Sequence, residues 1–347
     1  MQLAFLTSRL RTEEKLLLQE LERRGVPVTR VDDGELALRL EAAPPSSHPN
    51  SRPNAPAAPE TDTPWDLVWN RSLAFGRALY AGKVLEGRGI RTLNSAAVIT
   101  TCGDKLDTSM ALVRAGVPTP ETRVAFTPEA ALDVIEEMGY PVVLKPVVGS
   151  WGRLVARLDN RTAAEAVLED RAVLGSWQQQ IFYLQEYVEK PGRDARVFVV
   201  GDQAIAGIWR SSEHWITNTA RGGRTERCDV SGELGELALA AARAVTPPGD
   251  SSILAIDLIE TPNGPTVLEV NHSGEFRNSI EPTGVDIPGA MVDHVLARLS
   301  QSATAGVDEL QPRSREAQSG PTQSGETPPG EAQPGETQPR ATQEIQA

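Results

Sequence analysis

The chain has 347 residues, 39% of them hydrophobic, which is enough for two or three packed domains, and its formal net charge of -13 argues against general nucleic-acid binding. Its two cysteines, Cys102 and Cys228, stand far apart, which excludes a disulfide scaffold or a cysteine zinc site and fits a reducing cytoplasm. The opening MQLAFLTSRLR is a short apolar run met at once by charge, so it predicts a strand rather than a signal peptide, and no stretch approaches the roughly 18 apolar residues of a membrane span.

In chain order, residues 2–6 predict a strand and 13–24 a helix, with Leu17 and Leu21 one turn apart and Gly25 as its stop. A strand at 28–31 precedes 42–64, mostly Pro, Ala, Ser and Asn, which has almost nothing to bury and reads as a disordered insertion. A strand at 66–70 and a helix at 73–87 complete a βαβα pattern, so a parallel sheet with helical crossovers is expected. A helix at 104–115 ends at Gly116. A second block starts near Pro118: Thr127 caps a helix at 128–138, followed by a strand at 141–145, a glycine loop, a strand at 154–157, a helix at 163–174 and a strand at 183–188. The third block predicts antiparallel pairing. It holds a hairpin of 195–200 and 204–210 about Gly201-Asp202, a helix at 233–244, a hairpin of 252–259 and 266–270 about Pro262-Asn263-Gly264, and a helix at 290–299. Residues 301–347 repeat units such as SGETPPGEAQPGETQP and read as a disordered tail; its seven acids and three arginines leave the body at -13 + 4 = -9.

Three features carry chemistry. Glu269 and Asn271 are two apart on one strand and share a face, and Asp257 precedes Glu269 around the turn near Asn263, which places it opposite within about one residue. Two carboxylates and an amide on one face of a buried hairpin point to a bound cation, and all-oxygen ligands favour Mg²⁺ with phosphate oxygens. The second feature is PVVLKPVVGSWGR: a buried strand ends in Lys145 and feeds a loop holding Gly149, Ser150 and Gly152, where glycines let backbone N–H groups approach phosphate. It is neither a Walker loop nor a dinucleotide fingerprint. Arginine outnumbers lysine 29 to 5, so Lys105, at the start of its helix, and Lys145 gain some weight. The third feature is a set of donors: Arg196 and Arg210 on the first hairpin as anion clamps, with Asn218 and Arg221 in the stretch WITNTARGG, and Arg277. No Ser-His-Asp arrangement or nucleophile elbow is present, which disfavours a covalent hydrolase.

The order Lys105, Lys145, glycine loop, QEYV, Asp257 and Glu269-x-Asn271 resembles the ATP-grasp superfamily over about residues 1–300, apart from the 42–64 insertion. Within it, GSWGR, LQEYVEKPGRDAR, WITNTARGG and EVNHSGEFRNS resemble the carrier-protein ligases of the aminoadipate route to lysine, relatives of the ribosomal-protein glutamate ligases. The resemblance implies an α/β (α+β) fold: an N-terminal parallel βαβ domain at 1–95, a central ATP-grasp subdomain at 96–188, an antiparallel-sheet C-terminal subdomain at 189–300 and the tail. It further implies ATP and Mg²⁺ as cofactors. Lys105 and Lys145 would contact the phosphates under the loop of Gly149, Ser150, Trp151, Gly152 and Arg153. Gln185, Glu186, Tyr187 and Val188 would form the adenine hinge, with Glu189 or Asp194 near the ribose. Asp257, Glu269 and Asn271 would hold Mg²⁺, Arg196, Asn218 and Arg221 would face the γ-phosphate and acyl-phosphate, and Glu275, Phe276, Arg277 and Asn278 would lie near the amino-acid substrate.

The implied partners are 2-aminoadipate and a small acidic amino-group carrier protein, with no nucleic acid and no membrane. Docking an acidic carrier on a body of about -9 requires a local basic patch, to which Arg9, Arg11, Arg71 and Arg77 are candidate contributors. Many relatives form dimers or tetramers, so a homo-oligomer is compatible with the resemblance. A glutamate–carrier ligase of arginine biosynthesis and a ribosomal-protein glutamate ligase stay open beside this reading, as does, in a different class, a non-catalytic ATP-binding regulator.

Overall fold

The computed structural model describes residues 1–38, 40, 64–215, 217 and 224–308. The chain starts as alternating strand and helix: β1 Leu3–Thr7, α1 Thr12–Arg23, β2 Val28–Asp32, β3 Leu67–Asn70, α2 Phe75–Gly87, β4 Arg91–Leu93 and α3 Ala96–Gly103. The first four strands form a parallel sheet in the order β2-β1-β3-β4. β1 and β3 are buried throughout, as continuous apolar strands covered on both faces must be.

Next come α4 Lys105–Arg114, β5 Thr122–Ala125, α5 Pro128–Met138, β6 Val142–Lys145, β7 Ala156–Leu158, α6 Arg161–Leu174 and β8 Phe182–Glu186. Thr127 caps as expected, accepting from the Ala130 amide with Pro128 in the first turn, and Asp104 caps α4 by accepting from the amides of Leu106 and Asp107. These strands form an antiparallel sheet, β5-β8-β6-β7, with its own core around Leu144, Leu184, Ile135 and Leu168.

The last part contains β9 Arg193–Val200, β10 Gln203–Ser211, β11 Arg224–Arg227, α7 Glu233–Val245, β12 Ile253–Thr261, β13 Gly264–Asn271, α8 Arg277–Thr283 and α9 Ile287–Asp308. Its antiparallel sheet has the order β11-β10-β9-β12-β13. One face, with Ala195, Val197, Ile256, Leu258 and Val267, packs on α7, α3 and α4. Phe198, Val200, Ile253 and Ala255 share a second core with β1, β3 and α9. The N-terminal and C-terminal sheets are thus joined by one core, and the central sheet is packed separately. No helix among the described residues is long and apolar enough to cross a membrane.

The predicted elements recur within a few residues, and β4, α3, β5, β11 and α8 are additional. β4 spans only Arg91–Leu93, too short to show a period. One expectation is corrected: the last helix runs on to Asp308, so residues 301–308 of the expected disordered tail are helical. Residues 309–347, and nearly all of the expected 42–64 insertion, lie outside the described residues.

Asn94 is the polar tie between the first and last sheets. Its Nδ2 donates to the carbonyls of Ile253 and His272, both at 2.8 Å, and its Oδ1 accepts from the Ile253 amide at 2.7 Å. Asn94→Ala leaves those buried backbone groups unpaired, so it is expected to lower unfolding free energy by about 1–3 kcal/mol in denaturant titration. A loss below about 0.5 kcal/mol, the size of a surface change, would show that the tie is not structural.

Candidate active site

The site starts from the register of two hairpins. Cross-strand partners on one face of the five-stranded sheet are Arg210 with Asp194, Arg196 with Asp257, and Asp257 with Glu269. Each hairpin reaches that register through an irregularity. Between Ala204 and Ala206 the β9–β10 ladder slips by one; without the slip, Asp194 would face Trp209 instead of Arg210. The β12–β13 ladder slips between Asp257 and Leu258; without it, Glu269 would stand opposite Ile256, on the face packed against α7.

Asp257 is buried and accepts from Arg196 Nε at 2.7 Å and from its second guanidinium nitrogen at 2.8 Å, with Arg210 at 3.2 Å. Burial would raise its carboxyl, but Arg196 and Arg210 outweigh that and hold it down at about 2. Asp194, also buried, accepts from Arg210 Nε at 2.6 Å. Lys190 donates to Thr217 Oγ1 at 2.8 Å and lies 3.5 Å from Asp194. Asp257, one of the two acids expected to share a cation, is thus already answered by two arginines, and Asp194 by an arginine and a lysine.

Lys145 approaches from the end of β6 in the central sheet, and Lys105 from the start of α4, which packs on the C-terminal sheet. Lys105 Nζ donates to the Gly149 carbonyl at 2.8 Å and pairs with Glu269 at 3.0 Å. Lys145 Nζ donates to Gln185 Oε1 at 2.5 Å, and Gln185 in turn donates to Thr122 and the Tyr183 hydroxyl. Burial pushes the Lys145 ammonium down to about 8; Glu269 pulls it back up, and Lys105 and Lys190 add repulsion. In the loop after Lys145, Trp151, Gly152 and Leu154 are left-handed, with φ of 56°, 64° and 59°, and Arg153 stacks on Trp151 at 5.0 Å. At the hinge, Arg157 stacks on Tyr187 at 5.0 Å.

These groups line one cavity of about 470 Å³. It brings together Lys105, Lys145, the loop from Gly149 to Arg153, Gln185 to Val188, Asp194, Arg196, Asp257, Glu269, Asn271 and Glu275. Other predicted residues fall elsewhere. Glu189 is exposed and does not line the cavity. Phe276 is fully buried in the core, while Arg277 and Asn278 border a separate depression with Arg224 and Glu281. Asn218 and Arg221 lie outside the described residues. Of the candidate basic contributors, Arg71 is buried against Glu14 and Arg11 is bound to Glu14 and Glu275. The sequence reading missed Lys190, Arg11, Ser72, Thr217, His272 and Ser273 as lining residues. Lysine scarcity could have found Lys190, since three of the five lysines stand in this cavity. The buried side-chain atoms Asn271 Nδ2, His272 Nδ1, Ser273 Oγ and Ser72 Oγ have no protein partner, so this end of the cavity offers its hydrogen bonds to a ligand.

An anion cavity between two antiparallel sheets, with Lys145 from one, arginines and acids from the other, and Lys105 and Lys190 beside them, defines a nucleotide-grasping ligase class. Residues 102–295 match the RimK-like ATP-grasp domain and residues 3–101 the LysX preATP-grasp domain. This chain belongs to the RimK-like ATP-grasp family and is an ATP-dependent ligase. It is 36% identical over 228 residues to an alpha-aminoadipate–LysW ligase of Saccharolobus solfataricus, covering 65% of this chain and 82% of that one. It is 32% identical over 240 residues to a glutamate–LysW ligase of Sulfurisphaera tokodaii, covering 68% and 84%. A solved RimK-domain ATP-grasp protein from Sphaerobacter thermophilus is similar with a TM-score of 0.65 and 28% identity, over 85% of this chain and 99% of that one.

Lys145 gives this site a pH signature. Its folded value of about 8 lies below the ordinary 10.5, so between them the unfolded chain binds more protons and Lys145 contributes stability that rises with pH. Phosphate needs the ammonium form, so in calorimetry ATP affinity should weaken as pH rises through about 8. Lys145→Arg stays charged and should abolish that pH dependence, and Lys145→Ala should nearly abolish ADP release while the fold is kept. The same alkaline fall in the arginine variant would assign it to another group.

Proposed function

We propose that this chain joins the α-amine of 2-aminoadipate to the C-terminal glutamate γ-carboxylate of a small acidic amino-group carrier protein, in a cytoplasmic lysine-biosynthesis step. The observation that carries this is the convergence of Lys105, Lys145, Arg196 and Arg210 with Asp257, Glu269 and Asn271 in one cavity. The likeness to alpha-aminoadipate–LysW ligases over most of their length supports the substrate class. ATP phosphorylates the carboxylate and leaves as ADP; the amine then attacks the acyl-phosphate carbon, loses a proton, and phosphate departs with its bonding pair. An acyl-phosphate route needs no enzyme nucleophile, so this chain's residues act by position and charge. Lys105, Lys145, Arg196 and Arg210 hold phosphoryl oxygens, Tyr187 and Val188 border the adenine, and Glu275, which lines the cavity where Phe276, Arg277 and Asn278 do not, faces the amino acid.

Glu269 and Asn271 fit Mg²⁺, and Asp257 would join them on exchanging an arginine for the cation, since Arg196 and Arg210 now hold its two oxygens. The Asn271 amide has an unpartnered buried nitrogen, and its oxygen and nitrogen are interchangeable by a flip. Glu269 is one-third exposed toward the cavity. No group of three or more His, Cys, Asp or Glu among the described residues could hold a metal by itself, so phosphate oxygens would complete the shell. When bound, Mg²⁺ supplies charge neutralisation at the phosphates. Glu269→Ala and Asp257→Ala are expected to raise the Mg²⁺ concentration for half-maximal ADP release sharply. Glu260→Ala should not, because Glu260 pairs with Arg193 on the exposed strand end. A Mg²⁺ titration in which all three behave alike would sink the metal assignment.

The glutamate–LysW ligase relative keeps a glutamate reading as the competitor. With one carrier protein, kcat/KM for 2-aminoadipate is expected to exceed that for glutamate by about 10- to 200-fold, the worth of one methylene in a fitted pocket. Equal or greater activity with glutamate would move the chain to the other branch.

A further inference from the structure

Asp194 is expected near the ribose, yet the fold gives it other work. Its side chain is 5% exposed and both oxygens are engaged: Oδ1 accepts from Arg210 Nε at 2.6 Å, while Oδ2 accepts from the Thr217 hydroxyl and faces Lys190 at 3.5 Å. We propose that Asp194 is a positioning residue that holds Arg210 and Lys190 at the phosphate end of the cavity, and that it is not a ribose ligand. The inference rests on reading the cavity as the ATP site.

Four observations support it. The ladder slip between Ala204 and Ala206 brings Arg210 opposite Asp194, so the pairing is set by backbone register rather than by a chance rotamer. Lys190, Arg210 and Arg196 face Asp194 and Asp257 in one connected row, which leaves 3 − 2 = +1 to attract an anion. Arg210 also repels Lys190, so both cations stay in place only with a shared carboxylate between them. Thr217 completes the unit, since its hydroxyl accepts from Lys190 and donates to Asp194. A ribose diol would have to displace one of these partners from a buried carboxylate.

The test uses the full-length protein with ATP and 2′-deoxy- and 3′-deoxy-ATP, measuring Kd by calorimetry and turnover by ADP release. Asp194→Asn keeps the shape and removes the charge. It is expected to lower kcat by at least about tenfold, the loss of one charged hydrogen bond, and to leave the ratio of ATP to deoxy-ATP affinity as in wild type. Thr217→Val should lower kcat several-fold, and the double variant should be no worse than Asp194→Asn alone, since the two act as one unit. Collapse of the affinity ratio toward one in Asp194→Asn would make Asp194 a ribose ligand and overturn the proposal, as would kcat within about twofold of wild type. If Asp194→Asn does not fold, Thr217→Val decides: unchanged kcat overturns the assignment. Wild-type protein that binds ATP but transfers nothing would count against the proposed function, and Kd ratios would still decide the role of Asp194.

Discussion

Asp257 is the constraint on which the rest of the site depends. A carboxylate 4% exposed in the middle of a sheet is costly to bury unless charged partners surround it. The opposite face of that sheet is an apolar core against α7, so the charge has one face available. Arg196 on β9 and Glu269 on β13 are its direct cross-strand neighbours, and Arg210 reaches it from β10. Removing Arg196 would leave this buried carboxylate with Arg210 alone, which ties the fold of the sheet to the electrostatics of the cavity.

The row is also incomplete in a useful way. Cations from two layers enter the cavity, and they share acids among themselves. Lys105 divides its ammonium between Glu269 and the Gly149 carbonyl. Lys145 is depressed by burial and by two neighbouring lysines. A triphosphate would relieve that repulsion, so binding energy comes from groups already placed, with little reorganisation.

The layers divide the work. The N-terminal and C-terminal sheets share one core and are pinned by Asn94, so the acids and arginines sit on a rigid base. The central sheet has a separate core and meets that base through a few main-chain ties, such as the Lys105 amide to the Val147 carbonyl and the Val267 amide to the Pro118 carbonyl, each at 2.8 Å. The glycine loop and hinge are carried by this separate layer. That arrangement suits a site in which one layer covers a nucleotide held by the other.

Much of this was legible in the chain itself, for a local reason. A hairpin brings residues a few positions from its turn together, so spacing about Asn263 brought Asp257 within one residue of Glu269 and put Glu269 and Asn271 on one face. Capping by Thr127 and the buried strand ending in Lys145 were local as well. Lysine scarcity marked two site residues, although its signal for Lys190 went unread. What only the tertiary structure decided is the partner of each charge. The slips in two ladders leave no mark in the sequence, yet they turn Arg210 toward Asp194 and Glu269 toward Asp257. Arg277 and Asn278 are adjacent to Glu275 in sequence, but α8 starts at Arg277 and carries them away from the cavity. Local pattern fixes which residue types share a strand face; register and packing over long separations fix which of them meet, because side-chain facing alternates with every residue and a slip of one reverses it.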